Sequence, residues 1–336
     1  MIWFDLDNSP HVLIFKEVFE ELKKRDVDFF VTARDFAQTL GLCTLFGIDA
    51  VEVGKHGGKN KVMKVLNLFQ RARQLKKVLR GKDVGVAVSH GSRTQLLAAR
   101  RMGIRSLLML DYEYTETKIF NKLADKILIP SYIPDKRLSD CGFDMNKVIR
   151  YKGFKEEIYL RDFVPVENFR DKIGVTDDEI LVVIRPPSFV GNYHKKESES
   201  LFIDAVKYFS GFDNVVCLLV SRTVEDRNAI NAAVKKSNVR FLDGVVDGLQ
   251  LVYAADVVLS GGGTMNRESA LLGTKTYSIF KSKRPFLDEY LAEMGRLKFI
   301  DGVEDFKGIE VKRFREKEIL VNKNVLEEVV GIIQNA

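Results

Sequence analysis

The segment DVVLSGGGTMNRESALLGTKTYSIF, residues 256–280, decides the fold of its half of the chain. An apolar, β-branched run predicts a buried strand, the three glycines Gly261, Gly262 and Gly263 follow it, and a helix is predicted to begin near Thr264. Glycines let backbone N–H groups approach an anion, and a helix N-terminus adds unpaired N–H donors and partial positive charge. This order of elements predicts a diphosphate site, to which the Thr264 hydroxyl can contribute.

Glu268 lies one turn into the same predicted helix. A carboxylate there does not favour phosphate, but it can accept hydrogen bonds from two hydroxyl groups of a ribose bound beside it. A second interpretation of the segment stays open. Three glycines in a row are also typical of a turn that packs a strand tightly against a helix, with no ligand.

Short strands alternate with helical segments on both sides of this turn. This alternation is typical of parallel α/β sheets, and at roughly 150 residues per domain the 336 residues correspond to two domains. We therefore expect two Rossmann-like doubly wound domains facing a cleft, over residues 1–156 and 157–323, with a C-terminal helix (324–336) packing back on the first. The strands are predicted to begin at Ile2, Asp28, Val84, Ser106, Lys126, Ile180, Val215, Val239, Val257 and Thr276, and first-domain helices are predicted at 12–24, 35–46, 61–79, 94–102 and 118–124.

Composition excludes several protein classes. Hydrophobic residues make up 46% and charged residues 30% of the chain, which excludes a disordered or collagen-like protein. There is no uninterrupted apolar run of the roughly 18 residues that a membrane span needs, and the N-terminal residues do not resemble a secretory signal, so a cytoplasmic location is expected. Cys43, Cys141 and Cys217 are too widely spaced for a zinc site or a disulfide framework, and no metal site is predicted.

The motif GGGTMNRESALLG resembles the donor-nucleotide loop of GT-B glycosyltransferases and of non-hydrolysing UDP-N-acetylglucosamine 2-epimerases. With DLDNSPHVLIFKEVFEEL, FVTARDFAQT and GLQLVYAADVVLS, it makes nearly the whole chain similar to an archaeal and bacterial domain-of-unknown-function family with this fold. The resemblance implies that Gly262, Gly263 and Thr264 hold a diphosphate and that Glu268 binds ribose. It also implies that the first domain serves the acceptor and the second the nucleotide-sugar. Arg267 replaces the first Glu of the epimerase motif, a departure that disfavours epimerase chemistry.

Two arginines follow neighbouring strands of the second domain. Arg185 ends the strand ILVVI, where a guanidinium facing the glycine loop would neutralise a diphosphate with bidentate hydrogen bonds. Arg222, after the next strand, is a weaker candidate of the same kind. A surface ion pair is the alternative interpretation of both.

The loop after the first strand, DLDNSPH, contains polar residues but no glycine. His11 aligns with the His of the GGTGGHxxP loop in the resembling families, while Asn8, Ser9 and Pro10 stand where glycines are expected. A side-chain contact, for example from Asn8, would then replace close backbone approach to a phosphate. His11 is predicted at a helix N-terminus, which disfavours the imidazolium and leaves a neutral ring able to accept a proton. A purely structural His11 is the alternative.

Two more polar groups follow first-domain strands. His90 ends one strand, and Asp111 and Glu113 follow the next along the chain. The resemblance implies that these loops hold the acceptor sugar or, in epimerases, the acids and bases that act on the sugar ring. Helix capping and anchoring of turns are the alternative roles.

Residues 53–82 contain ten Lys and Arg residues and no acid. Val62, Val65, Leu66, Phe69, Ala72 and Leu79 recur there at helical spacing, which predicts an amphipathic helix with a basic outer face. One interpretation is a solvated helix whose apolar stripe packs on its own domain. The other is that residues 59–82 bind anionic lipid or an anionic acceptor at the inner face of the membrane. Nucleic acid is not expected as a partner, because no recognition motif accompanies the charge.

The function predicted from these features is a metal-independent GT-B glycosyltransferase that uses a nucleotide-diphosphate sugar and no cofactor. His11, ahead of Asp7, Glu113 and His90, would accept the proton of the acceptor hydroxyl, and the helix start and Arg185 would stabilise the leaving diphosphate. The acceptor is unidentified, and membrane contact would favour a lipid-linked or cell-envelope compound. Two alternatives stay open: a nucleotide-sugar 2-epimerase and a non-catalytic nucleotide-sugar binding protein. A haloacid-dehalogenase phosphatase, which FDLDN resembles, is disfavoured because Asn8 replaces the expected Thr or Val.

Overall fold

The computed structural model describes residues 1–55, 61–186, 196–220, 224–242 and 246–336, without the side chains of 61–65, 196, 224–226 and 229. The chain divides into two units. The first comprises Met1–Asp162 and Asn322–Ala336, and the second comprises Phe163–Val321.

Every paired strand in these residues runs parallel to its neighbours. The strands are β1 (Ile2–Leu6), β2 (Phe29–Asp35), β3 (Ala50–Lys55), β4 (Val86–His90), β5 (Arg105–Met109), β6 (Lys126–Pro130), β7 (Val148–Tyr151), β8 (Ile180–Arg185), β9 (Val215–Leu219), β10 (Val239–Phe241), β11 (Val257–Ser260), β12 (Lys275–Ser278) and β13 (Leu297–Phe299).

Helices connect these strands, as parallel pairing requires. They are α1 (Ser9–Lys24), α2 (Thr39–Leu45), α3 (Lys61–Val78), α4 (Arg93–Met102), α5 (Thr117–Leu123), α6 (Asp135–Asp140), α7 (Glu157–Leu160), α8 (Phe169–Lys172), α9 (Lys196–Phe209), α10 (Val224–Ala233), α11 (Gly248–Ala254), α12 (Thr264–Leu271), α13 (Phe286–Glu293), the 3-10 helix Val303–Gly308 and α14 (Val325–Gln334).

The strand order of each sheet creates a point at which the direction of winding reverses. The first sheet has the order β3-β2-β1-β4-β5-β6-β7, and the second has the order β10-β9-β8-β11-β12-β13. The reversals lie between β1 and β4 and between β8 and β11. Ligands of open parallel sheets bind beyond the carboxyl ends of the strands at such reversals. The predicted fold class, two doubly wound parallel-sheet α/β units, is confirmed.

Both faces of the first sheet are covered by apolar packing. On one face Phe4 contacts Phe15 and Phe19 of α1 with ring centroids 5.2 and 4.9 Å apart, and α14 completes this core with Val329 and Ile333. A second cluster of buried residues draws on β1, α3 and α4 and contains Trp3, Ala72, Leu75, Leu79, Ala98 and Ala99. The strands therefore read as nearly continuous apolar runs, as expected for a sheet covered on both faces.

The second unit has its own core. Ile184 of β8, Leu259 of β11 and Phe202 of α9 are fully buried in it, together with Phe306 of the 3-10 helix. This core holds β8 and β11 side by side, with Ser260 in register with Arg185.

Two parts of the predicted secondary structure are wrong. A helix was expected over residues 35–46, but β2 extends to Asp35 and α2 begins only at Thr39. Strands β3, β7 and β13 were not predicted. Strand β3 is an edge strand of the first sheet. Only Val53 of its six residues is buried, so β3 lacks the apolar run of a buried strand. None of the helices in the described part of the chain is long and apolar enough to cross a membrane.

Candidate functional site

The Asp5 carboxylate is fully buried within β1. The Arg71 guanidinium of α3 binds both of its oxygens, with Nη1 donating to Oδ2 and Nη2 to Oδ1 at 2.8 Å each. The hydroxyls of Thr32 and Ser92 also donate to it, each at 2.7 Å. Burial alone would raise the pKa of Asp5, but the charge of Arg71 and these hydrogen bonds lower it. An ionised Asp5 thus ties α3, β2 and the start of α4 to β1.

Asp7 and Asn8, two predicted site residues, have partners in the protein. Asp7 Oδ1 accepts a hydrogen bond from Arg34 Nη1 at 3.1 Å. Burial raises the pKa of Asp7, and repulsion from Asp5 adds to the rise although Arg71 opposes it. Asn8 is the N-cap of α1, and its Oδ1 accepts from the Ser9 N–H at 2.9 Å. In this structure Asp7 is an ion-pair partner and Asn8 a helix cap.

His11 lies in the first turn of α1 and is buried. Its Nδ1 accepts a hydrogen bond from the backbone N–H of Asp7 at 3.2 Å. Burial lowers the pKa of His11 well below 6.5, and the nearby His90 and Lys155 lower it further. The ring is therefore neutral near pH 7, and because Nδ1 is an acceptor the proton lies on Nε2. In this state His11 presents a hydrogen-bond donor, whereas the sequence predicts a proton acceptor.

A cluster of charged residues surrounds His90 at the carboxyl end of β4. His90 Nε2 lies 3.1 Å from Asp111 Oδ1, and the ring centroids of His90 and His11 are 5.1 Å apart. Lys155 forms a short buried ion pair with the other oxygen of Asp111, and its Nζ lies 3.1 Å from Glu156 Oε1. The structure therefore brings the predicted residues His11, His90 and Asp111 together and adds Lys155 and Glu156.

Glu113, which follows the same strand as Asp111, contacts helix α6. It is 1% exposed, and Oε1 accepts from Arg137 Nε of α6 at 3.1 Å. The Arg137 guanidinium also lies over the ring of Tyr114, 5.3 Å from its centroid. These contacts fix the loop after β5 against α6, so Glu113 anchors a turn, which is one of the two roles considered from the sequence.

The glycine turn of the second unit follows β11. Gly262 and Gly263 have φ angles of +96° and +89°, a left-handed region that favours glycine. The Gly261 N–H donates to the Arg185 carbonyl at 3.3 Å, and the Gly262 N–H donates to Ser260 Oγ at 3.2 Å. The N–H groups of Gly261 and Gly262 thus have partners within the protein. Further donors at this turn are the first N–H groups of α12, because helix geometry gives them no carbonyl partner inside the helix.

Helix α12 begins at Thr264 as predicted, directly after Gly263. Glu268 is buried one turn into it, 9% exposed. Arg267 is buried too, and its Nη1 donates to Asp288 Oδ1 of α13 at 2.9 Å. The residue that replaces the first Glu of the epimerase motif thus joins α12 to α13 through an internal ion pair.

Arg185 ends β8 next to this turn, with Ser260 as its register partner on β11. The two predicted parts of an anion site, the guanidinium and the glycine turn, are therefore neighbours at the carboxyl edge of the second sheet. Arg222, the weaker candidate, lies outside the described residues.

The basic helix corresponds to α3, and part of its predicted pattern is wrong. Ala72 and Leu79 are buried as expected, but Leu66 and Phe69 are 56% and 39% exposed. Arg71, counted with the basic outer face, is instead 3% exposed and bound to Asp5. The apolar stripe that packs on the sheet runs through Ala72, Leu75 and Leu79, and Leu66 and Phe69 lie off it.

Sequence reasoning missed Arg71 and Lys155. Arg71 stands in a run of basic residues, which gives no sign that one of them points inward. The only signal is Asp5, an acid in the middle of a buried strand, which requires a buried partner. Lys155 stands in a segment without hydrophobic periodicity, and no sequence pattern there indicates a buried lysine. In the described ranges, no group of three or more His, Cys, Asp or Glu side chains is arranged to hold a metal ion.

Comparison with known proteins gives the family of the chain. The family described as "Protein of unknown function (DUF354)" matches residues 1–334. The chain belongs to this family. An uncharacterized protein of Methanocaldococcus jannaschii, MJ0665, is 28% identical to this DUF354 member over 305 residues, which are 88% of this chain and 86% of that protein.

A transferase is similar to the chain in sequence, and an epimerase is similar to it in structure. The UDP-N-acetylglucosamine--N-acetylmuramyl-(pentapeptide) pyrophosphoryl-undecaprenol N-acetylglucosamine transferase of Caldicellulosiruptor saccharolyticus is 27% identical over 237 residues, 69% of this chain and 59% of that protein. The UDP-GlcNAc 2-epimerase of Neisseria meningitidis, solved with UDP-GlcNAc bound, has a TM-score of 0.78 at 14% identity over 100% of both chains. The DUF354 chain therefore has the GT-B fold.

Proposed function

We propose that the chain binds a nucleotide-diphosphate sugar in its second unit and transfers the sugar to an acceptor hydroxyl. The glycine turn at residues 261–263 is the observation that carries this proposal. It leads into the N-terminus of α12 beside Arg185, at the winding reversal of the second sheet. A diphosphate there meets N–H donors, a positive helix end and a guanidinium. The UDP-sugars named for the similar transferase and epimerase support this substrate class.

The donor site in this proposal has three parts. The first-turn N–H groups of α12 and the Thr264 hydroxyl bind the diphosphate, Arg185 neutralises it, and the buried Glu268 accepts hydrogen bonds from ribose hydroxyls. Negative charge grows on the diphosphate as its bond to the sugar breaks. Because the helix end and Arg185 are already in place for that charge, we propose that transfer needs neither a metal ion nor a cofactor.

The first unit supplies the proton acceptor in this proposal. Asp111 Oδ1 lies 3.1 Å from His90 Nε2, where its negative charge stabilises the His90 ring as that ring takes up a proton. The acceptor hydroxyl gives its proton to His90 as its oxygen forms a bond to the anomeric carbon. The bond from that carbon to the diphosphate breaks, and the diphosphate leaves with the electron pair. His11, neutral and protonated on Nε2, donates a hydrogen bond to a sugar oxygen.

We further propose that the acceptor is a lipid-linked or cell-envelope compound. The similar transferase of C. saccharolyticus is named for a pyrophosphoryl-undecaprenol acceptor, which supports this class without identifying the compound.

Epimerisation of the donor sugar is the second candidate, and the His11–His90 pair is the observation that favours it. His11 is neutral with its proton on Nε2, and His90 lies beside the Asp111 carboxylate, with the two ring centroids 5.1 Å apart. A reaction that removes and returns a proton at one carbon requires such a pair. Arg267 disfavours it, because the Glu of the epimerase motif is absent and Arg267 is committed to Asp288.

Calorimetric titration with UDP-, GDP-, ADP- and dTDP-linked sugars tests the proposal. We expect one nucleotide class to bind, and we expect Glu268→Ala to weaken that binding at least about tenfold, since it removes two hydrogen bonds to ribose. Glu293→Ala, an exposed acid of α13, is the matched control and should bind as the unaltered protein does. Binding by none of the sugars, or equal binding by the Glu268 variant, would contradict the proposal.

Product analysis of the binding sugar separates the two reactions. NMR of the sugar incubated with protein alone reveals the 2-epimer if epimerisation occurs. Consumption of the sugar only when membrane lipid extract is added, with release of nucleoside diphosphate, indicates transfer. Binding with neither product would leave a nucleotide-sugar binding protein.

A further inference from the structure

Helix α3 carries an exposed stripe that the first unit does not use for packing. Its residues, here called the α3 stripe, are Leu66, Phe69, Arg73 and Lys76 of α3 and Arg80 in the turn that follows it. They are spaced three and four apart, so the four helical residues share one side of α3 and Arg80 continues that side. All five are exposed, and Leu66 and Phe69 are 56% and 39% exposed. At 1.5 Å per residue its helical part, from Leu66 to Lys76, is about 15 Å long, and the stripe is apolar at one end and basic at the other.

The cations of the stripe are not neutralised by the protein. Across the ranges that the structure describes, neither Arg73 nor Lys76 nor Arg80 forms an ion pair with a carboxylate. Helix α1 shows the opposite arrangement, because its Lys23 and Lys24 and its C-cap Arg25 pair with glutamates three or four residues earlier. The basic surface of α1 is thus balanced internally, whereas that of α3 is left for an external anion.

Helix α4, which packs against α3, extends the charge. It contains no acid, and its exposed Arg101 places its guanidinium 5.3 Å from the centroid of the Phe69 ring. Strand β3 contains one acid, the exposed Glu52, which lines a groove with Gln74 and Lys77 of α3. Leu66 and Phe69 therefore form one continuous exposed surface with Arg101 and the cations of the stripe.

We propose that the α3 stripe docks the protein on an anionic phospholipid surface, with Leu66 and Phe69 entering the acyl boundary and Arg73, Lys76, Arg80 and Arg101 binding headgroup phosphates. A helix with apolar and basic residues on its exposed side lies flat at such an interface. A bilayer fits better than nucleic acid, because Leu66 is 56% exposed and an aliphatic side chain gains nothing from a phosphate backbone. This inference is independent of the nucleotide-sugar proposal.

Flotation of the full-length protein with vesicles tests the inference. We expect binding to vesicles of phosphatidylcholine mixed with phosphatidylglycerol, weaker binding in high salt, and little binding to pure phosphatidylcholine. Arg73→Gln/Lys76→Gln/Arg80→Gln should lower the partition coefficient about a hundredfold, at roughly fivefold per charge. Lys23→Gln/Lys24→Gln/Lys136→Gln removes three exposed charges from other helices and should bind nearly as the unaltered protein does.

A second variant tests the apolar end of the stripe. Leu66→Ser/Phe69→Ser keeps the charge and should lower vesicle binding at least about tenfold, while Leu45→Ser, at a site 66% exposed, should not. Thermal unfolding shows that the variants are folded. The inference would be overturned if the two triple variants lost vesicle binding equally, or if Leu66→Ser/Phe69→Ser left vesicle binding unchanged. It would also be overturned if the protein bound RNA in a parallel binding assay but did not bind the vesicles.

Discussion

Asp5 and Arg71 form a buried ion pair in the first unit. Both side chains are at most 3% exposed, and two 2.8 Å hydrogen bonds join them. Such a pair contributes little compared with an apolar pair, but the loss of one partner leaves a buried charge without compensation.

Asp5→Asn should therefore lower the free energy of unfolding by about 3–5 kcal/mol in urea denaturation. Asp7→Asn is the control, and we expect a change within about 1 kcal/mol because its pair with Arg34 is partly exposed. Asp5→Leu/Arg71→Met should recover part of the loss, since it removes both charges. A loss below about 1 kcal/mol for Asp5→Asn would show that the buried pair does not matter.

His11 offers a test of the proton arrangement without a substrate. The chain has four histidines, so imidazole NMR signals can be assigned by single substitutions. We expect His11 to stay neutral and protonated on Nε2 through pH 6 to 8, because burial and the charges of His90 and Lys155 lower its pKa. Lys155→Met should raise the pKa of His11, because it removes a nearby positive charge, whereas Lys152→Met, at an exposed site, should not.

A His11 signal that titrates near pH 6.5, or one that carries its proton on Nδ1, would contradict this arrangement. His11 would then regain the role of proton acceptor that its place at a helix N-terminus favours.

Among the elements, the turn between β11 and α12 is the most predictable and the most constrained. The strand, the glycines and the helix start at Thr264 all follow from local pattern, and the structure has each of them. The reason for glycine at position 262 is not local. A Cβ there would lie 3.0 Å from Cδ2 of Phe280, which follows the neighbouring strand β12.

Gly262→Ala should destabilise the second unit by about 1–3 kcal/mol and weaken nucleotide binding, because it adds backbone strain and a contact with Phe280. Gly263→Ala is the matched control, with a similar φ of +89° and no atom within 4 Å of the new Cβ. It carries the backbone strain alone and should cost less in urea denaturation. Gly262→Ala/Phe280→Ala should bring the first variant close to the second in nucleotide affinity. Equal costs for the two single variants would show that Phe280 gives way freely.

Helix α7 contains a buried acid at the place where the chain returns to the first unit. The Glu157 carboxylate accepts hydrogen bonds from the N–H of Phe154 at 2.8 Å and of Asn322 at 2.7 Å. Burial raises its pKa from 4.5 to about 7, which these hydrogen bonds oppose. Between pH 4.5 and about 7 the folded state thus holds a proton that the unfolded state has released.

Stability should therefore fall as pH rises from 4.5 to about 7, by up to about 3 kcal/mol from this group. Glu157→Gln should remove that part of the slope in urea denaturation at several pH values. The readout is the slope and not the absolute stability of this variant. The side-chain NH2 of the introduced glutamine would face a backbone N–H that the carboxylate accepts from, which destabilises the variant at every pH. Glu327→Gln, at an exposed acid of α14, should keep the slope. An unchanged slope in Glu157→Gln would show that Glu157 is ionised throughout the range.

For the molecule as a whole, the two units draw on different parts of the chain. The first unit needs residues from both ends, because α14 places Val325, Leu326, Val329, Val330 and Ile333 in the core beneath α1. Removal of residues 322–336 should cost that unit about 8 kcal/mol or more, at 1.5–3 kcal/mol for each of these five side chains.

Hydrogen exchange should then show loss of protection in α1 and retention in β8 and β11, whose core lies wholly within residues 163–321. Removal of Asn335 and Ala336 alone is the control and should leave α1 protected. Loss of protection in both units after the longer truncation would mean that they unfold as one.

The fold class and the glycine turn follow from the sequence by itself, because alternation of apolar runs, helical spacing and glycine conformation are local properties. Contacts between distant residues do not follow from it. Arg71 and Asp5 are 66 positions apart and Lys155 and Asp111 are 44 apart, and no local pattern distinguishes the basic residue that turns inward from its exposed neighbours. Burial of Arg71 also decides the rotation of α3, which leaves Leu66 and Phe69 in solvent. The tertiary structure thus decides which charges are buried and which surface is free, because burial depends on what packs against a side chain.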